Sequence, residues 1–70
     1  MANWDQVQGN WKQFKGRVKE FWGDLTDDEV ARIEGDRDRL VGALQERYGY
    51  AREEADNAID EFLDEIDEAL

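Results

Sequence analysis

Residues 9–23, GNWKQFKGRVKEFWG, carry the pattern that decides the fold. Glycines stand at 9, 16 and 23, seven residues apart, and the stretch holds all three lysines of the chain. Between the glycines Trp11, Phe14, Val18 and Phe21 recur at steps of three and four, the spacing of one helical face. Extended back to Trp4 and Val7, these residues make a continuous apolar stripe, and Trp22 widens its end. Asn3 and Gln6 open the stripe with the spacing of a capping box. Gly23 follows it where a left-handed C-terminal cap would sit. The pattern predicts one amphipathic helix over 4–22, with its aromatic rings turned toward a core and its lysines turned away.

The rest of the chain is read as helical too. Proline is absent, and four valines, three isoleucines and one threonine are too few β-branched residues for a sheet protein. Thr26 and Glu29 form a second capping-box pattern, and Asp27 and Asp28 suit the positive end of a helix dipole. This predicts a helix over 27–34 that buries Val30 and Ile33 and ends or bends at Gly35. A third helix over 36–48 buries Leu40, Val41, Leu44 and Tyr48 and is capped by Gly49. The last, over 52–69, is weakly capped because Ala51 offers no side-chain acceptor. Its apolar face is Ala55, Ala58, Ile59, Phe62, Leu63, Ile66 and Leu70.

Residues 35–49, GDRDRLVGALQERYG, repeat the glycine spacing of residues 9–23 at an offset of 26. The repeat matches Phe14, Val18, Glu20 and Trp22 to Leu40, Leu44, Glu46 and Tyr48. The expected fold class is all-α. The expectation is a single small four-helix domain over 1–70; if the repeat is an internal duplication, and not a chance likeness of two amphipathic helices, it packs as two helical hairpins. Its expected core is Trp11, Phe14, Val18, Trp22, Leu40, Leu44, Tyr48, Ile59 and Phe62, with 63–70 an acidic amphipathic extension.

Composition narrows the function. Seventy residues lie near the lower limit for a self-sufficient core. The chain has no cysteine and no histidine, which removes disulfides and the usual zinc and haem ligand sets. It has no serine either, and its one threonine fits a helix cap, so no nucleophile–base constellation is found. No catalytic residue, metal site, cofactor or small-molecule substrate is expected. The tail DNAIDEFLDEIDEAL lacks the ligand spacing and central glycine of a calcium loop. DRDRLVGALQE begins with the right alternation but places Leu40 and Val41 where a ligand and the glycine belong. No apolar run is long enough to span a bilayer, and no secretory leader pattern opens the chain. The expectation is a cytoplasmic protein without membrane insertion.

Charge is unevenly spread. The formal net charge is −10, yet residues 1–22 set Lys12, Lys15, Arg17 and Lys19 against Asp5 and Glu20. No basic residue follows Arg52, and nine carboxylates lie between Glu53 and Glu68. Opposite the apolar stripe, Gly9, Lys12, Gly16 and Lys19 fall at helical spacing. An interior glycine costs a helix about 1 kcal/mol relative to alanine. Two on one back face therefore suggest a docking stripe for an acidic helix or a phosphate backbone. Tolerated surface glycines, or a bend in the helix, are the plainer explanation. Three interaction modes follow: an unknown protein partner, self-association with the acidic last helix on the basic stripe of another copy, and weak nucleic-acid binding. The last would use Lys12, Lys15, Arg17 and Lys19, and the net acidity disfavours it.

Three segments, GNWKQFKGRVKEFWGDLTDDE, IEGDRDRLVGALQERYGY and REEADNAIDEF, resemble the CsbD-like bacterial stress-response family. The resemblance runs without a gap over residues 3–62. It implies a small, cytoplasmic, all-helical protein made under general stress, whose molecular activity is not established. It implies no catalytic residues. Asp24 departs from a position that is often basic in the family, and the acidic residues 63–70 extend past the resemblance. Both departures weigh against a charge-based nucleic-acid role. The function expected is non-enzymatic, through interaction or protection.

Overall fold

The computed structural model describes residues 3–69. It contains five helices: α1 (Trp4–Gly9), α2 (Trp11–Phe21), α3 (Asp27–Ile33), α4 (Arg37–Tyr48) and α5 (Arg52–Ala69). No strand occurs among the described residues. Leu70, expected on the apolar face of the last helix, lies outside them.

The long first helix expected over 4–22 is two helices. Asn10 has φ −123° and ψ 39°, which leaves the helical region and separates α1 from α2. Its side-chain amide donates to the Gln6 carbonyl at 3.1 Å, the local competition that makes asparagine a poor interior helix residue. Gly9 precedes it and adds a second weak helix former. The apolar stripe continues across the break, with the Trp4 and Trp11 ring centroids 6.3 Å apart.

Local chemistry sets the other helix ends. Asn3 with Gln6, and Thr26 with Glu29, make complete capping boxes on α1 and α3. Asp36 caps α4 by accepting from the Asp38 and Arg39 amides at 2.9 and 3.2 Å. Gly49 ends α4 in the left-handed conformation, as expected. Gly23 does not do this for α2: the C-cap is Trp22 with φ −119°, and Gly23 lies in the turn that follows. The start of α5 is better held than its Ala51 suggests, because Glu54 reaches back to accept from the Ala51 amide at 2.9 Å.

Helices consecutive in sequence pack on one another, so α3 lies between α2 and α4 and joins the two expected hairpins. The core contains Val7, Val18, Trp22, Leu25, Val30, Ile33, Leu40, Val41, Leu44, Ala55, Ile59, Phe62 and Ile66. Phe21 and Trp22 bring α2 against Phe62 of α5, with centroid separations of 5.5 and 5.1 Å. Trp11, Phe14 and Tyr48, expected in the core, are half-buried at its margin. Leu25, in the α2–α3 turn, is fully buried. It directly precedes the Thr26 cap, and Val30 stands five residues on, the arrangement of a hydrophobic staple.

Candidate docking face on α2

Helix α2 sorts its side chains by face. Val18 is fully buried, and Trp11, Phe14 and Phe21 lean on the core. The Trp11 Nε1 is itself buried and meets no acceptor among the described residues. These rings are half-buried and pack against the core from its margin. Lys12, Lys15 and Arg17 are exposed, and Lys19 is half-buried.

Lys12, Lys15, Gly16 and Lys19 line one side of a shallow groove of about 410 Å³. Asp27, Val30 and Ala31 of α3 line the other. The back face of α2 is thus the wall of a cleft against α3. Gly9 is not part of it: it ends α1 and borders a separate depression with Gln8, Asn10, Trp11, Lys12 and Gln13. The break at Asn10 leaves Gly9 at the end of α1 and Gly16 within α2, so the two glycines lie on different helices. Of the four residues expected to form the stripe, three come together and Gly9 stands apart.

Neither glycine is needed by the chain's own packing. A Cβ placed on Gly9 or Gly16 would have no heavy atom within 4 Å. Gly42, the repeat counterpart of Gly16, is equally open and lines a larger groove of about 610 Å³ on the other flank of α3. Gly35 and Gly49 share positive φ, whereas Gly9 and Gly23 do not. The two glycine-spaced segments therefore share an open middle glycine but differ in backbone at their ends.

The cations of α2 have no carboxylate partner among the described residues, whereas three arginines of α4 and α5 do. Arg47 of α4 grips Glu29 of α3, its Nε donating to both carboxylate oxygens at 2.9 and 3.1 Å. Arg37 bridges to Asp60 of α5 at 3.3 Å and Asp56 at 3.8 Å. Arg52 reaches Asp38 at 3.1 Å, and Arg39 donates to the Arg32 carbonyl at 3.0 Å. On α2, by contrast, Lys12, Lys15 and Arg17 have no hydrogen-bond or ion-pair partner among the described residues. Lys19 donates to the Gly23 carbonyl at 3.1 Å, which ties it to the turn after α2.

The Arg47 guanidinium, then the Thr26 amide, hold the Glu29 carboxyl well below the usual range, at about 2. Glu29 in turn raises the Arg47 pKa. This ion pair links α4 to α3, whose other flank forms the far wall of the α2 groove. Sequence reading found the role of Glu29 in the capping box but not its second role, since Arg47 lies 18 residues away. Among the described residues no group of three or more carboxylate, histidine or cysteine side chains is placed to hold a metal ion. No helix among them is long and apolar enough to cross a membrane.

Fold, size and charge together define a small, acidic, all-α protein. The model of the CsbD-like family matches residues 5–57, and the chain belongs to that family. It is similar to UPF0337 protein YjbJ of Escherichia coli strain K12, with 60% identity over 58 residues, 83% of this chain and 74% of that protein. The YjbJ protein of Salmonella typhimurium is 58% identical over 59 residues, 84% of this chain and 84% of that one. A UPF0337 protein of Bordetella pertussis is 52% identical over a shorter span of 41 residues, 59% of this chain and 62% of that protein.

Proposed function

We propose that this is a non-enzymatic bacterial general stress-response protein that acts in the cytoplasm by interaction, with the lysine-lined groove of α2 and α3 as its docking face. The observation that carries this reading is the cation row of α2: in a chain of net charge −10, Lys12 and Lys15 are left without a carboxylate partner among the described residues. Membership of the CsbD-like family supports the stress-response part of it. Gly16 supports docking, because it keeps the groove open at the cost of helix stability. A phosphate backbone ranks second as occupant. Trp11, Phe14 and Phe21 pack against the core, which limits their use for base stacking, and the overall charge repels polyanions.

The test is survival of a bacterium deleted for its own copy and challenged with osmotic, oxidative or stationary-phase stress. Wild-type protein is expected to restore survival, and K12E/K15E/K19E is expected not to, at equal abundance and equal helicity. Full rescue by the charge-reversed protein would remove the docking face and leave passive protection, which does not depend on where the surface charges lie.

A further inference from the structure

Two halves of an ion-pair array lie on this chain and do not meet within it. On α2, Lys12, Lys15 and Lys19 follow one another at steps of three and four along the groove. On α5, Glu61, Asp64, Glu65 and Glu68 recur at the same steps and occupy one helical face about 100° wide. All four are exposed, and none has an ion-pair or hydrogen-bond partner among the described residues. The other carboxylates that face α4 are engaged: Asp56 and Asp60 hold Arg37.

Each row is unfavourable as it stands. Like charges three and four residues apart repel along a helix. Carboxylates near a helix C-terminus oppose the macrodipole, and α5 has no basic residue in its last turn to offset them. The registers match as well. Lys12 to Lys19 and Glu61 to Glu68 each span seven residues, about 10 Å of helix axis. An antiparallel approach sets Lys19 against Glu61, Lys15 against Asp64 and Glu65, and Lys12 against Glu68. At Gly16 the approaching helix meets no side chain, and Asp27 is the one carboxylate among the groove residues, against three lysines.

Building on the docking reading of α2, we propose that the occupant of its groove is the acidic outer face of α5 from a second copy of this chain. The row from Glu61 to Glu68 lies beyond residues 5–57, the span matched by the family model. Each copy presents both rows. Association therefore closes as a two-fold pair when both contacts form together, or grows head to tail when they do not. The net charge of −10 opposes association over long distances. At about 0.15 M salt the screening length is about 8 Å, which damps that repulsion but leaves direct row-to-row contacts.

Sedimentation equilibrium over a concentration series tests the proposal. At about 0.15 M salt the apparent mass should rise with concentration, levelling at twice the monomer for a closed pair and passing it for head-to-tail growth, and at about 1 M it should return to the monomer. K12E/K15E/K19E and E61K/D64K/E65K/E68K should each be monomeric alone and should associate when mixed, since their signs are exchanged. Circular dichroism checks that both fold; if either does not, K12Q/K15Q/K19Q and E61Q/D64N/E65Q/E68Q take their places, and each must lose self-association. A wild-type protein that stays monomeric throughout overturns the proposal, as does association that neither set of substitutions alters. A monomeric wild type whose stress rescue still needs the lysines would retain the docking face and remove only this occupant. A monomer that shifts an oligonucleotide through the same lysines would assign the row to a phosphate backbone.

Discussion

At Gly35 the backbone of the α3–α4 turn comes against α1, and a Cβ there would stand 3.1 Å from the Gln8 Cα. Its φ of +80° is also in the region that side chains avoid. Both effects act against any larger residue, so Gly35→Ala should destabilise the protein by about 1–3 kcal/mol. Gly16→Ala should do the reverse, by up to about 1 kcal/mol, because its φ is negative and its surroundings are open. Urea unfolding of the two variants checks the opposite signs; equal destabilisation would mean that Gly16 is constrained by the fold. Glu29 gives a third residue-level outcome. Its folded pKa of about 2 lies below the ordinary value of 4.5, so the native state binds fewer protons than the unfolded one in that interval. The stability it contributes is complete above about 4.5 and is lost as the pH falls toward about 2. Thermal melts of wild type and Glu29→Gln between about pH 6 and 2.5 should therefore differ most at the upper end and converge at the lower.

Helix α1 has only six residues and depends on what holds it: its capping box, the buried Val7, and the Trp4 Nε1 donating to the Gly35 carbonyl at 2.8 Å. Trp4→Phe keeps a ring but removes the donor, leaving an acceptor on a buried residue without its partner. The expected loss is about 1–3 kcal/mol. Hydrogen exchange should quicken mainly in α1, with α4 and α5 little changed. Uniform acceleration would instead mean that α1 unfolds only with the whole molecule. This helix also marks the limit of what periodicity reveals. Trp4, Val7, Trp11, Phe14 and Val18 keep their phase across Asn10, so the apolar pattern looks the same whether the helix is whole or broken. The Gly9-Asn10 pair was the available signal. Caps at Asn3, Thr26 and Gly49 were legible because their chemistry lies within a few residues. Leu25 was not singled out, and its place before the Thr26 cap was the available signal. The lysine row was plain in the sequence, but the α3 wall of its groove was not, because tertiary packing decides which helix lies alongside.

Across the whole molecule, charge is arranged so that arginines bind helices together while α2 and α5 keep unmatched rows. Arg37, Arg47 and Arg52 each pair with a carboxylate on another helix. Such exposed pairs are worth about 0–1 kcal/mol each and weaken in salt. Opposing them is the self-repulsion of a net charge of −10, with nine carboxylates between Glu53 and Glu68. Salt weakens both, and the repulsion involves more groups over longer distances, so it should lose more. Raising the salt from about 0.01 to 1 M, which shortens the screening length from about 30 to 3 Å, should therefore raise the Tm of a dilute sample. For a domain this small, each kcal/mol gained corresponds to about 4–8 °C. E61Q/D64N/E65Q/E68Q removes four of those carboxylates without touching the Arg37 pairs. It should melt higher than wild type at low salt and show a flatter salt dependence. A wild-type Tm that falls with salt would mean that the arginine bridges outweigh the repulsion. The unpartnered face of α5 would then carry no electrostatic strain for a partner to relieve.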